Sequence, residues 1–331
     1  MGLSFPVLLL LVIGFFFGWL LLMKFKLLFI SLLALILGYK SIAVFIGFNA
    51  PVSFTTQKQT GAIRVVSWNV ARFIELARNN NAGSNIRKKM LALLKEQKAD
   101  ILCLQEFHTS ENPGFYNNIR AIREELGFSY HYFPYDKDGD RNYYSSVIFS
   151  RFPIVDSALL RYPRPSQPEV LVQADIQVNN DTIRVFTTHL QSQRFDKLDY
   201  ARMQKIKSRE DSLVYHSIPI VAKLKRGIVI RSIQADIIGE VRSNSPYPVL
   251  FTGDLNDVPN SYTYFKVRGE LRDAFLEKGY GLGRTFRGLS PTLRIDYIFS
   301  DSRFSVAQFK REKKNYSDHY MLVADLQLNN P

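Results

Sequence analysis

The chain has 331 residues, 46% of them hydrophobic and 22% charged, with 43 Lys and Arg against 30 Asp and Glu for a formal charge of +13. These proportions exclude a disordered polymer and a collagen-like repeat, and they supply apolar material for one large core or two small ones. The single cysteine, Cys103, excludes an intrachain disulfide and a cysteine-rich zinc cluster, while the basic balance favours phosphate-bearing partners or an anionic membrane face without choosing between them.

Residues 1–50 hold three charges, Lys24, Lys26 and Lys40, and no acid. Subtracting those lysines from 43 leaves 40 basic residues against 30 acidic, so +10 belongs to the remainder. Leu3–Met23 is 21 residues without a charge, and Leu27–Phe48 is a second run of 22 interrupted by Lys40. About 20 apolar residues cross about 30 Å of hydrocarbon, so residues 1–50 read as an anchor of two transmembrane helices that meets the lipid bilayer through residues 3–48. The competing reading is a cleaved signal peptide. Against it, no basic residue precedes the first run, and no small-residue cleavage site follows the second. Pro6 stands where a myristoylation motif wants Ser or Thr. By the positive-inside rule Lys24 and Lys26 face the cytoplasm, which places the following domain outside it.

Residues 51–60 are polar and read as a linker, with the domain at 61–331. A strand opens it at Ile63–Trp68. Helical spacing follows at Ile86, Met90, Leu91 and Leu94, with Ser84 as N-cap. Further strands are expected at Ile101–Leu104, Ser146–Phe149, Val170–Val178, Ile183–Thr188, Val249–Phe251, Ile295–Phe299 and Met321–Leu328. Helical stretches fall near 117–126, 199–241 and 261–268. Of these, 199–241 is basic and reads as a solvated helical face. Asn179-Asn180-Asp181 between two strands is a hairpin signal. The order is mixed rather than strictly alternating, which indicates an α/β sandwich of two packed sheets flanked by helices.

Polar residues recur where these strands end. Val65–Trp68 runs into Asn69, Ile101–Leu104 into Gln105-Glu106, and Val185–Thr188 into His189. Val249–Gly253 runs into Asp254-Leu255-Asn256, Arg294-Ile295 leads to Asp296, and Ser317-Asp318-His319 precedes the last strand. Strand ends in α/β folds open onto a common crevice. Six segments delivering these groups to one rim would cluster hard oxygen ligands without a thiolate, which suits Mg²⁺ or Mn²⁺. The histidines and the Asn suit holding a phosphate and managing protons.

Trp68-Asn69, Gln105-Glu106, Thr188-His189-Leu190, Gly253-Asp254-Leu255-Asn256, Arg294-Ile295-Asp296-Tyr297 and Ser317-Asp318-His319 together resemble the endonuclease/exonuclease/phosphatase superfamily, over roughly residues 61–328. The apolar N-terminal run is similar to that of membrane-anchored bacterial members of the Bacteroidetes type. The resemblance implies a four-layer αββα sandwich. It implies Glu106 as principal metal ligand, assisted by Asn69 and Asp318. It also implies Asp254 aligning or deprotonating the attacking water, Asn256 and His189 on non-bridging phosphate oxygens, and His319 as transition-state stabiliser or acid/base oriented by Asp296. The assignment of general base between Asp254 and His319 stays open. The sequence departs from relatives before Arg151-Phe152-Pro153-Ile154, where a glycine usually opens the strand. Here Tyr143-Tyr144-Ser145-Ser146 stands, so the rim at 136–146 is expected to be reshaped.

The expected activity is Mg²⁺-dependent hydrolysis of a phosphodiester or phosphomonoester by direct attack of water. Nucleic acid and phospholipid or phosphoinositide substrates both remain open. The alternative is a catalytically silent, membrane-tethered phosphate-ligand binding protein. No protein partner is implied. Of the aromatic residues near the rim (Phe115, Tyr116, Tyr132, Phe133, Tyr135, Tyr143, Tyr144), most are expected to be core or loop anchors.

Overall fold

Strand residues alternate between two faces, and that alternation divides the apolar residues of this chain among three cores. A computed structural model describes residues 2–50, 52–76, 85–166, 169–193, 195, 197–208, 213–288 and 290–329. The N-terminal helices are α1 Phe5–Leu21, α2 Phe25–Leu37 and α3 Tyr39–Phe45, followed by β1 Gly47–Phe48 and β2 Ala62–Asn69. Then come α4 Ile86–Gln97, β3 Ile101–Ser110, α5 Asn118–Leu126, β4 Tyr130–Tyr132, β5 Asn142–Ser150, β6 Ile154–Arg161, β7 Val170–Val178 and β8 Asp181–His189. The C-terminal half holds α6 Lys197–Ser208, α7 Leu213–Ser243, β9 Val249–Asp254, α8 Tyr262–Arg268, β10 Arg272–Asp273, α9 Ala274–Lys278, β11 Tyr280–Gly281, β12 Asp296–Ser300, β13 Phe304–Glu312 and β14 Met321–Leu328.

Two six-stranded sheets result, in the orders β13-β14-β2-β3-β5-β4 and β10-β12-β9-β8-β7-β6. Each is mixed: β2 with β3, and β8 with β9, run parallel, and their other pairings are antiparallel. Between the sheets lie Ile63, Val65, Ile101, Cys103, Val172, Ala174, Val185, Leu250 and Ile298. The opposite face of the first sheet packs Val66, Trp68, Leu102 and Leu104 against Leu91, Leu94 and Ile122 of α4 and α5. The opposite face of the second packs Leu171, Phe186 and Phe251 against Ala235, Ile238 and Tyr264 of α7 and α8. This is the expected layering of helix, sheet, sheet and helix.

Differences from expectation have local causes. β4, β6 and β13 went unread because their burial does not alternate cleanly. The stretch 199–241 divides into α6 and α7. Ser84 lies outside the described residues, and the residue preceding α4 is Asn85, with φ 48° and no side-chain cap. The hairpin turn is Asn179-Asn180, closed by Val178 opposite Asp181.

At the N-terminus the expectation of two transmembrane helices needs correction. Gly2–Leu21 is the one helix among the described residues that is long and apolar enough to cross a membrane. The second run breaks at Gly38 into α2 and α3, bent by 62°. Docking explains the bend, because Val44 and Phe45 at the end of α3 are buried. The Val44 carbonyl accepts from Arg294 Nη2 at 2.5 Å, and β1 pairs with β11. The chain after it is also tied down: Arg64 donates to the carbonyls of Thr55 and Thr56, and Lys58 pairs with Asp100 at 2.6 Å.

Candidate active site

Register places the functional residues at one level. Across β8, β9 and β12, His189 lies opposite Asp254, and Asp254 opposite Asp296. Gly253 permits this closeness: a Cβ there would lie 2.4 Å from the Thr188 carbonyl oxygen. In the facing sheet Asn69 lies opposite Gln105. The next residue, Glu106, sits in a β-bulge between Leu104 and Phe107 with φ 50°. Such a bulge re-aims a side chain, and here it turns Glu106 toward the other strand ends. The Ser317-Asp318-His319 loop is fastened to the end of β2. Ser317 Oγ donates to the Asn69 carbonyl at 2.8 Å, and Trp68 Nε1 donates to the His319 carbonyl at 2.9 Å.

The side chains then meet. Asn69 Nδ2 donates both to Glu106 Oε1 at 3.0 Å and to Asp254 Oδ2 at 3.1 Å. Asn69 Oδ1 accepts from Ala71 N at 3.0 Å. His189 Nε2 lies 3.6 Å from both Glu106 Oε1 and Asp254 Oδ2. His319 Nδ1 lies 3.0 and 2.9 Å from the two oxygens of Asp296, while its Nε2 faces Asp254 Oδ2 at 3.7 Å. Asn256, at φ 49°, donates through its backbone N to Asp254 Oδ1 at 2.8 Å and through Nδ2 to the Leu190 carbonyl at 3.0 Å. The structure thus brings Asn69, Glu106, His189, Asp254, Asn256, Asp296 and His319 together. Asp318 lies at the margin: its side chain is exposed and accepts from Ser317 Oγ at 3.2 Å.

The electrostatics follow from these contacts. Burial alone would lower the His319 pKa, but Asp296 and Asp254 overcome it and raise the imidazole to about 10. Burial opposes His189 likewise, and Glu169, Glu106 and Asp254 raise it to about 10. Burial and the neighbouring Asp296 push Asp254 up to about 6, with both imidazoles opposing them. For Glu106 burial pulls upward, yet His189, the Asn69 amide, His319 and Arg72 hold its carboxyl below the usual range. Cys103, buried between the sheets, is pushed up to about 12 and is an inert thiol.

Ligand atoms of Asp254, Asp296 and His319 lie within 4.8 Å of one another and can hold a metal ion. Glu106 adds a partly exposed anionic carboxylate beside them. The carboxylate oxygens of this set fit a hard divalent cation. His319, bonded at Nδ1 to one acid and facing another at Nε2, is also placed to pass a proton.

Three contributors were not found from the sequence. Glu169 lies 3.3 Å from His189 Nδ1. Thr285 Oγ1 accepts from the backbone N of Ile295 and of Asp296, at 2.9 and 3.1 Å, and so fixes the approach to β12. Arg72 lies in a turn, Ala71–Ile74, whose φ values are 42°, 57°, 59° and 63°. Four non-glycine residues in the left-handed region cost roughly 1–2 kcal/mol each. Glu169 stands alone before its strand, and no pattern of residue types announces a left-handed turn.

The model of the Endonuclease/Exonuclease/phosphatase family matches residues 66–319. No curated protein matches the chain. Among solved structures, an endonuclease/exonuclease/phosphatase from Beutenbergia cavernae is similar with a TM-score of 0.58 and 20% identity, over 83% of this chain and 72% of that one. A family protein from Bacteroides thetaiotaomicron gives 0.54 and 17%, over 82% and 96%. TDP2 from D. rerio, complexed with a single-strand DNA product, gives 0.52 and 15%, over 80% and 99%. At these identities the likeness is one of fold.

Proposed function

The chain belongs to the endonuclease/exonuclease/phosphatase family, and from that membership we propose that it is a membrane-anchored, Mg²⁺-dependent phosphoesterase that hydrolyses its substrate by direct attack of water. The observation that carries this reading is His319 held between Asp296 and Asp254, beside the carboxylate of Glu106. Glu106 would be the principal ligand of the cation, with Asn69 beside it and Asp318, exposed at the margin of the site, as the outermost ligand. The bound ion would supply Lewis-acid stabilisation of charge developing on phosphate oxygens.

The chain's own residues do the rest. Asp254, with a pKa near neutrality, aligns a water molecule and accepts its proton. His189 and the Asn256 amide hold non-bridging oxygens. Asp296 keeps His319 protonated and oriented, so that imidazolium opposes the negative charge of the pentacoordinate state. The D. rerio neighbour with DNA product supports a phosphodiester of nucleic acid. The apolar N-terminus equally supports a phospholipid-type ester, which a tether concentrates at the bilayer. Gly2–Leu21 is the anchor, with α2 returning beside it.

The test is hydrolysis of bis(p-nitrophenyl) phosphate by the full chain in detergent. Mg²⁺-dependent turnover that EDTA abolishes is expected. No turnover with any divalent ion would refute the reading and favour a phosphate-ligand binding protein.

A further inference from the structure

Arg64, Arg231 and Arg294 are almost fully buried, and each meets both a carboxylate and a backbone carbonyl. These are structural. Arg72 differs. Its guanidinium lies 4.2 Å over the Tyr144 ring, and its ion-pair partner is Asp138 at 2.5 Å, with side chains 37% and 39% exposed. Exposed pairs of this kind contribute little, so a ligand anion competes with Asp138 at small cost.

The position is informative. Arg72 follows Asn69 by three residues, on the turn that β2 makes as it leaves the site. Tyr144 lies opposite His108 in the β3–β5 register, two residues beyond Glu106. Stacking on Tyr144 engages the face of the guanidinium, which leaves its in-plane N–H edge for bidentate contact with a tetrahedral anion. Tyr144, which carries this platform, is held in β5.

We propose that Arg72, stacked on Tyr144, forms a subsite for a second phosphate group of the substrate, beside the scissile one. The proposal rests on the phosphoesterase reading above. The second phosphate has two chemical sources, the next phosphate of a polynucleotide or a phosphate on a lipid headgroup.

Both are tested with the full chain in detergent. In the nucleotide arm, kcat and KM are measured for d(TpT) and for its 5′-phosphorylated form. In the lipid arm they are measured for phosphatidylinositol and phosphatidylinositol 4-phosphate in mixed micelles. In one arm the extra phosphate should lower KM at least tenfold, and that arm identifies the source. Arg72→Gln should remove that advantage chiefly through KM, and Arg72→Lys should restore part of it. An extra phosphate without effect in either arm would overturn the subsite. So would an Arg72→Gln variant that loses kcat/KM equally with and without the extra phosphate, because Arg72 would then act only through Glu106. A second readout needs no turnover. Pyrophosphate should bind at least tenfold more tightly than phosphate in excess Mg²⁺, and Arg72→Gln should erase the difference. If the chain hydrolyses nothing but shows this preference, the enzymatic reading fails and the subsite stands. If the preference is absent, the subsite fails.

Discussion

Replacing Asp296 by Asn tests the proposed chemistry at its most buried point. The change is isosteric and leaves the backbone bonds from Ile295 and Asp296 to Thr285 in place, so loss of activity will not be loss of fold. The magnitude follows from the His319 pKa, raised from 6.5 to about 10. At 1.36 kcal/mol per pH unit that is roughly 5 kcal/mol favouring imidazolium. Burial opposes this shift, and Asp296 touches the ring at 2.9 Å while Asp254 faces it at 3.7 Å, so Asp296 supplies the larger share of what overcomes burial. If that charge stabilises the transition state, kcat falls about 10²-fold or more. The pH profile sharpens the test. In the native protein imidazolium persists as pH rises until it passes about 10. In Asp296→Asn the activity should decline as pH rises through a much lower value. Steady-state hydrolysis of bis(p-nitrophenyl) phosphate across pH reads both effects. A variant within threefold of the native kcat, or one whose profile superimposes on it, would falsify the role given to the pair.

Three further outcomes are expected. Gly253→Ala forces a Cβ to within 2.4 Å of the Thr188 carbonyl; it should cost about 1–3 kcal/mol in thermal unfolding and lose activity as His189 and Asp254 separate, whereas a fully active, equally stable variant would show that the strands need no glycine. Arg64→Met leaves Asp325 buried opposite a neutral group; urea unfolding should show a loss of about 3–5 kcal/mol, with Arg64→Met/Asp325→Leu recovering most of it. His131, lowered by burial and by Arg123, protonates more readily when unfolded. Its stabilising contribution is therefore complete above about pH 6.5 and lost as pH falls through its folded value. Melting temperature should drop less between pH 7.5 and about 5 in His131→Phe, which keeps the stacking on Phe149; equal drops would remove His131 from the account.

Sequence alone determined the layers and which side chains gather at the strand ends. Period-two alternation in Val170, Val172, Ala174, Ile176 and Val178 assigns a strand with one face to a core, because side chains on a strand must alternate. Strand-end acids, amides and histidines announced a shared crevice, and Asn69, Glu106, His189, Asp254, Asn256, Asp296 and His319 do converge. Asp318, read in the same motif, sits exposed at the margin, since neighbours in a loop point different ways.

Tertiary structure decided what depends on pairs distant in the chain. The bend at Gly38 arises because Val44 and Phe45 find a buried seat on a domain folded from later residues, and no local hydropathy encodes that. Glu169 gains its partner only when β7 and β8 align, and Arg72 gains Tyr144 only when β5 joins the sheet. Local composition fixes which face of an element is apolar. Only the assembled sheets fix which charges face each other, because electrostatic work depends on distances that the order of residues does not contain.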